Sequence, residues 1–521
     1  MTEDCPEGWD FVSLGQITRK VGSGSTPRGG SESYQQTGVP LIRSMNVRFE
    51  GFTKEGLAFL NQKQADDLKE ATVCSDDVLL NITGASIGRV TQAPECMDGA
   101  RVNQHVCIIR PLHEIDPAYL SRYLASPSVQ QMIWGEQYGA TRQALTKGQI
   151  LDFQIPFAPL NEQQRIVKAI DVAFEHISSA RSHLSLVPMI LKRFRQAVLA
   201  AACSGRLTED WRNGNAPESG ESLLRVLLDE KKKVFEARQH GNKRYRSPEE
   251  SATDDLPSLP ESWTWASPDQ LSSAEDQYSL AIGPFGSNLK VSDYRADGVP
   301  LIFVRNIRSG IFAGGRTRFI SVSKAEELRP HWVQPGDILV TKMGDPPGDG
   351  CVYPEGHPLA VITADCIKIR ISPRLPDPRF FVHAINSTLL RNQMFKITRG
   401  VAQTKVSLER FKTLALPLPP ILEQIEIVKR VESLFRLVTN IEGRVELANK
   451  RVQYSTQSIL AKAFRGELVP TEAELARREG RGYEPASALL ERINKEREAQ
   501  TSSNPERKQG RTKNKLAAAK G

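Results

Sequence analysis

Two hydrophobic rhythms alternate along the chain. Up to about residue 157, short apolar runs such as VPLIRSMNV (Val39–Val47), DDVLLNITG (Asp76–Gly84) and HVCIIRP (His105–Pro111) are bounded by Gly, Pro, Asn and Asp. Such runs predict strands joined by turns, with helical pieces between them such as PAYLSRYLASPSVQQMIW (Pro117–Trp134). The rhythm then becomes a heptad. Alternate steps of four and three from Ile166 reach Ile170, Ala173, Ile177, Ala180, Leu184, Val187, Leu191, Phe194 and Val198, all apolar. A second stripe runs through Ile427, Val431, Leu434, Val438, Ile441, Val445, Ala448, Val452, Ser455 and Ile459, with Ser455 its one polar member. A 4-3 stripe keeps one seam turned toward a partner helix, so each run predicts a coiled-coil helix, and the two seams are expected to pack on each other. Each helix has about 40 residues, or ~60 Å. Pro188 is expected to kink the first.

The second stripe is the first displaced by 261 positions, and the whole chain is written twice. PEGWDF (Pro6–Phe11) returns as PESWTW (Pro260–Trp265), and GVPLIRSMNV (Gly38–Val47) returns as GVPLIFVRNI (Gly298–Ile307). DDVLLNITG parallels GDILVTKMG (Gly336–Gly344), and DPAYL (Asp116–Leu120) parallels DPRFF (Asp377–Phe381). GATRQAL (Gly139–Leu145) stands where GVAQTKV (Gly400–Val406) stands later, and PLNEQQRIVKAI (Pro159–Ile170) returns as PILEQIEIVKRV (Pro420–Val431). The offset drifts only from 254 to 261, which two copies of one module produce and chance does not. Each helix ends at a matching glycine, CSGRL (Cys203–Leu207) and FRGEL (Phe464–Leu468).

The expected organisation is a mixed α/β or α+β domain over residues 1–157, a long helix over 158–205, and a linker with a charged helix over 206–258. A second domain (259–418), a second long helix (419–468) and a basic, partly disordered tail (469–521) follow. With antiparallel helices the two domains would sit at opposite ends of a rod, around a pseudo-two-fold axis. The strand pattern alone does not decide the type of sheet.

Composition changes this picture little. The chain of 521 residues is 39% hydrophobic and 25% charged, ordinary for a globular protein of several units. The formal charge is +8, and Glu474–Gly521 carries much of it, with twelve Lys/Arg against seven Glu. That excess permits a polyanionic partner without naming one. Seven scattered cysteines, none spaced C-x-x-C, argue against a disulfide framework and a structural zinc site. They fit a reducing cytoplasm, as do an acidic N-terminus unlike a signal peptide and the absence of an apolar run of about 20 residues.

Signatures of catalysis are missing. GASIGRV (Gly84–Val90) lacks the spacing and the lysine of a phosphate loop, and no H-E-x-x-H or G-x-S-x-G occurs. GDPPGD (Gly344–Asp349) approaches an Asp-Pro-Pro-aromatic loop that would grip a flipped base. Gly348 stands in the place of the aromatic, and the stretch reads as a tight turn.

Taken in order, the paired P-x-x-E-Q-x-x-I-V helix starts, LLNITGASIGRV (Leu79–Val90), PEGW with PESW, LKRFRQAVLAAACSGRL (Leu191–Leu207) and TEDWR (Thr208–Arg212) resemble the specificity subunit of type I restriction–modification systems. The resemblance covers about residues 6 to 470. It implies two target recognition domains, each reading one half of a bipartite, asymmetric DNA site. It also implies helices that set the spacer and dock two modification subunits. Those partners would bind S-adenosylmethionine and methylate adenine N6, and restriction subunits would supply ATP- and Mg2+-dependent translocation and cleavage. The chain itself would be non-catalytic and hold no cofactor.

In this family DNA contacts come from loops of the recognition domains. The expected contacts in the first domain are Ser23, Ser25, Thr26, Arg28, Arg43, Asn46, Thr83, Ser86, Arg89, Arg142 and Gln143. In the second they are Ser287, Asn288, Arg305, Asn306, Lys342, Arg399, Gln403 and Lys405. Arg43 with Arg305, and Asn46 with Asn306, recur in both halves and so suit a shared structural role better than a sequence choice. GSGSTPRGG (Gly22–Gly30), with GPFGSNLK (Gly283–Lys290) as its counterpart, is the leading contact loop. Rival readings are an enzyme in its own right and a protein-binding scaffold.

Overall fold

In a computed structural model, the strand Val106–Pro111 lies between Thr18–Ser23 and Val78–Asn81, which pairs onward with Val90–Gln92, all antiparallel. The same order recurs with Cys366–Ile369 between Leu280–Ile282 and Ile338–Thr341, followed by Gly350–Val352. The structure describes residues 5–135, 144–215, 218–238, 244–253, 255–315, 317–344, 347–398 and 405–502. Both sheets are built from the apolar runs of the sequence. Val78–Asn81, Ile338–Thr341 and Cys366–Ile369 are buried along their whole length, as central strands covered on both faces should be.

A smaller sheet accompanies each large one and settles the question of sheet type. Val39–Ile42 pairs antiparallel with Ala58–Leu60 and parallel with Arg101–Val102. Val299–Ile302 likewise pairs antiparallel with Phe319–Ile320 and parallel with Ala360–Ile362. A third, two-stranded pairing joins the start of each domain to its end, Asp10–Ser13 with Gln154–Phe157 and Thr264–Ala266 with Leu416–Leu418. The class is therefore mixed α+β, with two homologous domains and two long helices, Leu160–Cys203 and Ile421–Ala463. The first helix runs unbroken through Pro188.

The described residues divide into two units that do not follow the linear order of segments. One joins the chain up to Ser185 with the chain from Glu446 onward; the other is Leu186–Val445. Each long helix thus begins in one unit and ends in the other. Within the second unit the helical pieces run antiparallel, because partners fall in number as the first helix advances. Arg195 pairs with Glu442 at 2.8 Å, Leu207 O accepts from Arg430 at 2.9 Å, and Thr208 meets Glu423 at 2.7 Å. In the first unit Leu460 and Ala463 share a core with Ile166 and Ile170, and Arg165 pairs with Glu472 at 2.6 Å.

Burial varies along the heptad seam. Ile166 and Ile170 are fully buried in the first unit, where Ile177, Leu184, Val452 and Ile459 are half-buried. In the second unit Leu191, Val198, Ile427, Val431 and Val438 are buried, and Leu434, Ile441 and Val445 half-buried.

The repeated phrases of the sequence meet at one junction per unit. In the first, Trp9 Nε1 donates to Glu162 Oε1 at 2.7 Å, and the Glu472 amide donates to Oε2 at 2.7 Å. In the second, Trp263 Nε1 donates to Glu423 Oε2 at 2.8 Å, while Thr208 Oγ1 (2.7 Å) and Arg212 Nε (3.2 Å) donate to Oε1. Both carboxylates are fully enclosed, so these donors replace the water each has lost. The next residue holds the turn before the helix: Gln163 Nε2 donates to Ala158 O, and Gln424 Nε2 to Pro419 O, both at 2.8 Å. The glycine stops close the junction. Gly205 and Gly466 take φ of 75° and 72°, and a Cβ on them would come within 2.5 Å of Pro260 and 2.7 Å of Pro6.

Part of the expected tail belongs to this architecture. Thr471 caps a helix Glu472–Glu479, and a helix Ala486–Ser502 buries Ala486, Leu489 and Ile493 in the first unit's core. Composition concealed this, because the i, i+3, i+7 apolar positions are few and lie among charges. The linker helix, Gly220–Ala237, buries Leu223 and Leu227 in the second unit in the same manner.

Candidate nucleic-acid interface

An ion pair to a buried aspartate anchors the end of a central strand in each large sheet. Arg110 grips Asp77 through Nε (2.7 Å) and Nη2 (2.8 Å), and Arg370 grips Asp337 through the same two atoms, both at 2.8 Å. Each aspartate also accepts a backbone N–H three residues before it, from Cys74 and from Gln334. Fork geometry of this kind fixes strand position, so the loops beyond the strands start from defined places.

In the first unit those loops bring four side chains into one hydrogen-bonded chain. Thr26 Oγ1 donates to Gln104 Oε1, Gln104 Nε2 meets His105 Nε2 at 3.0 Å, and His105 Nδ1 meets Thr83 Oγ1. An amide nitrogen can only donate, so His105 Nε2 accepts and the imidazole proton sits on Nδ1, donating to Thr83. Thr83 therefore keeps its own hydroxyl proton for an outside acceptor. Thr26 and Gln104 are exposed, and Thr83 and His105 half-buried.

In the second unit Lys342 and Phe285 form the centre of the corresponding loops. Phe285 is 57% exposed, and Lys342 Nζ lies 4.5 Å from its ring centroid, within cation–π range. Lys342 is itself buried, and Nζ also donates to Ala364 O at 3.4 Å. Burial pushes the Lys342 pKa down; Asp365 opposes that shift and Lys405 adds to it. Lys405 is exposed and forms a β-bridge through its backbone with Met343.

The remaining expected contacts fall into four groups. Ser25, Arg28 and Arg89 are exposed loop residues, Ser23 is the exposed last residue of the strand Thr18–Ser23, Ser86 is half-buried, and Ser287 and Asn288 lie in a short 3-10 turn, Gly286–Asn288. Arg142, Gln143, Arg399 and Gln403 lie outside the described residues. Asn46 and Asn306 are buried, and the turn consumes their hydrogen bonds. Asn46 Oδ1 accepts from Arg43 N at 3.0 Å, and Asn306 Oδ1 from Phe303 N at 2.9 Å. Their Nδ2 atoms donate to Thr53 O and Ala313 O.

These turns also show that Arg43 and Arg305 are not equivalents. Arg43 occupies the place of Phe303, and Arg305 that of Met45. Arg43 reaches Gly56 O at 2.5 Å and stacks near Tyr34, whereas Arg305 lies 4.1 Å from the Phe303 ring centroid. The match in sequence was one of type, two residues out of register.

Gln104, His105 and Phe285 join these loops without being singled out by the sequence pattern. The signal was present in the aligned strands, where NQHV (Asn103–Val106) stands against TADC (Thr363–Cys366), but side-chain class changes at a strand entrance give no periodicity to read. Among the described residues no group of His, Cys, Asp and Glu could hold a metal ion, and no helix is long and apolar enough to cross a membrane.

Residues 6–182 and 307–448 match the family model described as type I restriction modification DNA specificity domain. The EcoBI type I restriction enzyme specificity subunit of Escherichia coli is 29% identical over 95% of this chain and 93% of its own length. The EcoKI specificity subunit of Escherichia coli strain K12 is 26% identical, over 95% and 96%. Among solved structures, the HsdS subunit from Thermoanaerobacter tengcongensis aligns with a TM-score of 0.51 at 16% identity, covering 90% of this chain and all of that one. A chain from a structure of type I R-M system assembly and conformational transition aligns at 0.56 and 17%, covering 89% and 99%. At these identities the structural likeness speaks for the fold.

Proposed function

The chain belongs to the type I restriction–modification DNA specificity family, and from that premise we propose that its two domains read the two unlike halves of one bipartite DNA site. As a specificity subunit it is a non-catalytic part of its system. The observation that carries the proposal is the pair of homologous sheets with one buried frame and differently furnished loops. Identical heads would suit a palindrome, and divergent heads suit an asymmetric site. A half-site of a few base pairs needs a few base-edge contacts, while Lys, Arg and hydroxyl groups on phosphates supply sequence-independent affinity.

The long helices set the spacer between half-sites and dock two modification subunits. Apolar side chains on their outer faces support this: Leu186, Met189 and Ile190 on one helix and Leu437 and Leu447 on the other are each about half exposed. A partner's apolar surface would cover them. S-adenosylmethionine is bound by those modification subunits, ATP and Mg2+ by restriction subunits, and none by this chain. The assembly works in the cytoplasm, where it directs adenine-N6 methylation or cleavage.

Methylome sequencing of host strains with and without the gene tests the reading. One bipartite, adenine-containing motif should lose its methylation when the gene is deleted. Unchanged methylation in a strain that still expresses the modification subunit would overturn it. Methyl transfer by the isolated chain would favour an enzyme instead.

A further inference from the structure

The two units use the same backbone scaffold to present unlike side chains at equivalent loop positions, and the register pairs these positions one by one. Ile109 pairs with Val21 and Ile369 with Leu280, so the loops that follow put Gly24 against Gly283 and Thr26 against Phe285. Both glycines sit against the neighbouring strand's backbone: a Cβ would come within 1.8 Å of Val102 O at Gly24 and 2.1 Å of Thr363 O at Gly283. Ile82 N donates to His105 O at 3.0 Å, and Lys342 N to Asp365 O at 2.8 Å. Leu145 N donates to Ile82 O at 2.9 Å, and Val406 N to Lys342 O at 3.1 Å. The bridge Thr83–Ala144 corresponds to Met343–Lys405.

Side chains diverge on this shared frame. Thr26 becomes Phe285, Ile82 becomes Lys342, Thr83 becomes Met343, His105 becomes Asp365 and Ala144 becomes Lys405. Nearby framework positions do not change: Asp77 and Asp337, Arg110 and Arg370, Asn46 and Asn306 are the same residue in both units. The buried Asp–Arg pairs and the turn asparagines are kept, while the replaced positions include the buried pair Ile82 and Lys342 and more open ones such as Thr26, Thr83, His105 and Ala144.

We propose that this patch is the base-reading element of each domain, with Thr26, Thr83, Gln104 and His105 in the first unit and Phe285, Lys342 and Lys405 in the second. The chemistry differs in kind. The first set is neutral and offers donors and acceptors together, through the Thr83 hydroxyl and the free N–H and lone pair left on Gln104. That combination matches the N6 donor and N7 acceptor of adenine. The second set offers ammonium donors only, matching the O6 and N7 acceptors of guanine, with the outer face of Phe285 free to pack on a base. Asp365 opposes the downward shift that burial gives the Lys342 ammonium.

This inference rests on the DNA-reading function proposed above, and the test separates the two. The full chain is assembled with its modification subunits, and the methylated motif is sequenced for wild type, Gln104→Ala, and Phe285→Ala with Lys405→Ala. All three substituted side chains are exposed, so the fold should tolerate them, and continued reading of the other half-site reports on folding within the same molecule. Gln104→Ala should relax one A·T position of one half-site by about ten- to a hundredfold. The double variant should relax one G·C position of the other half, leaving the spacer unchanged. A wild-type complex that methylates no bipartite motif would refute the DNA-reading function itself. A wild type that reads such a motif, with variants that keep every position, would overturn this inference alone. A uniform loss of affinity with an unchanged motif and a shallower salt dependence would also overturn it, since that behaviour belongs to phosphate contacts.

Discussion

Trp9 donates its indole N–H to the buried carboxylate of Glu162 at 2.7 Å, and so ties the entry to the first strand of a domain to the first turn of the helix that leaves it. The second unit repeats the contact between Trp263 and Glu423 and adds Thr208 and Arg212 as donors. Removing the Glu423 carboxylate would leave three polar groups, one of them charged, without their acceptor. Glu423→Ala should destabilise the second unit by about 3–5 kcal/mol, and Glu423→Gln by less, because the amide oxygen still accepts. Hydrogen exchange resolved to individual segments checks this, with the loss confined to Leu186–Val445.

Gly24→Ala should abolish reading by one domain without unfolding the protein. A methyl group at that position would come within 1.8 Å of Val102 O, so the loop carrying Thr26 must lift from the sheet. Motif sequencing of the assembled complex should show one half-site degenerate and the other intact. Thermal melting should change far less than for a substitution in the core.

Much of this architecture was legible in the sequence because repetition survives where burial demands it. The P-E-x-W and E-Q phrases recur because Trp9, Glu162 and Gln163 have partners that only those residue types satisfy. The glycine stops recur because Gly205 and Gly466 need positive φ against a proline. What the sequence hid is explained by the same logic. The patch around Gln104 and Phe285 is where the two copies differ, so a search for echoes passes over it. Arg43 and Arg305 matched in type and not in place, which only the turn geometry shows.

The last helix was hidden for a different reason: its apolar positions are sparse among charged ones. Leu489 is nevertheless 4% exposed within the first unit's core, beside Ala486 and Ile493. Leu489→Ala should therefore cost about 2–5 kcal/mol, a core penalty, where a solvated tail would give almost none. Denaturant unfolding followed in the first unit checks it.

His383 gives the second unit an acid-sensitive contact. The residue is partly exposed, but its Nε2 is sealed and has no hydrogen-bond partner among the described residues, and the ring meets the edge of Phe435 at 5.8 Å. Desolvation lowers its pKa from 6.5 to about 4; Asp377 opposes the shift and Arg379 adds to it. The folded state therefore favours neutral histidine. Its stabilising contribution is complete above pH ~6.5 and is lost as pH falls toward about 4. At ~1.4 kcal/mol per pKa unit the loss is at most about 3–4 kcal/mol. His383→Phe should flatten this part of the stability profile, measured as unfolding midpoints between pH 4 and 7.

Spacing offers the sharpest test of what the long helices do. Four residues added to each helix lengthen it by ~6 Å, close to two base pairs at ~3.4 Å each. Four residues also advance the helix by slightly more than one turn, so an insertion in both strands of the pair keeps the seam nearly in phase. The segment around Ser185 and Glu446 suits the insertion because the two units divide there and neither residue is buried. Motif sequencing should return both half-sites unchanged with a spacer longer by about two base pairs. Altered half-sites with an unchanged spacer would mean that the helices shape the reading heads and do not measure the distance between them.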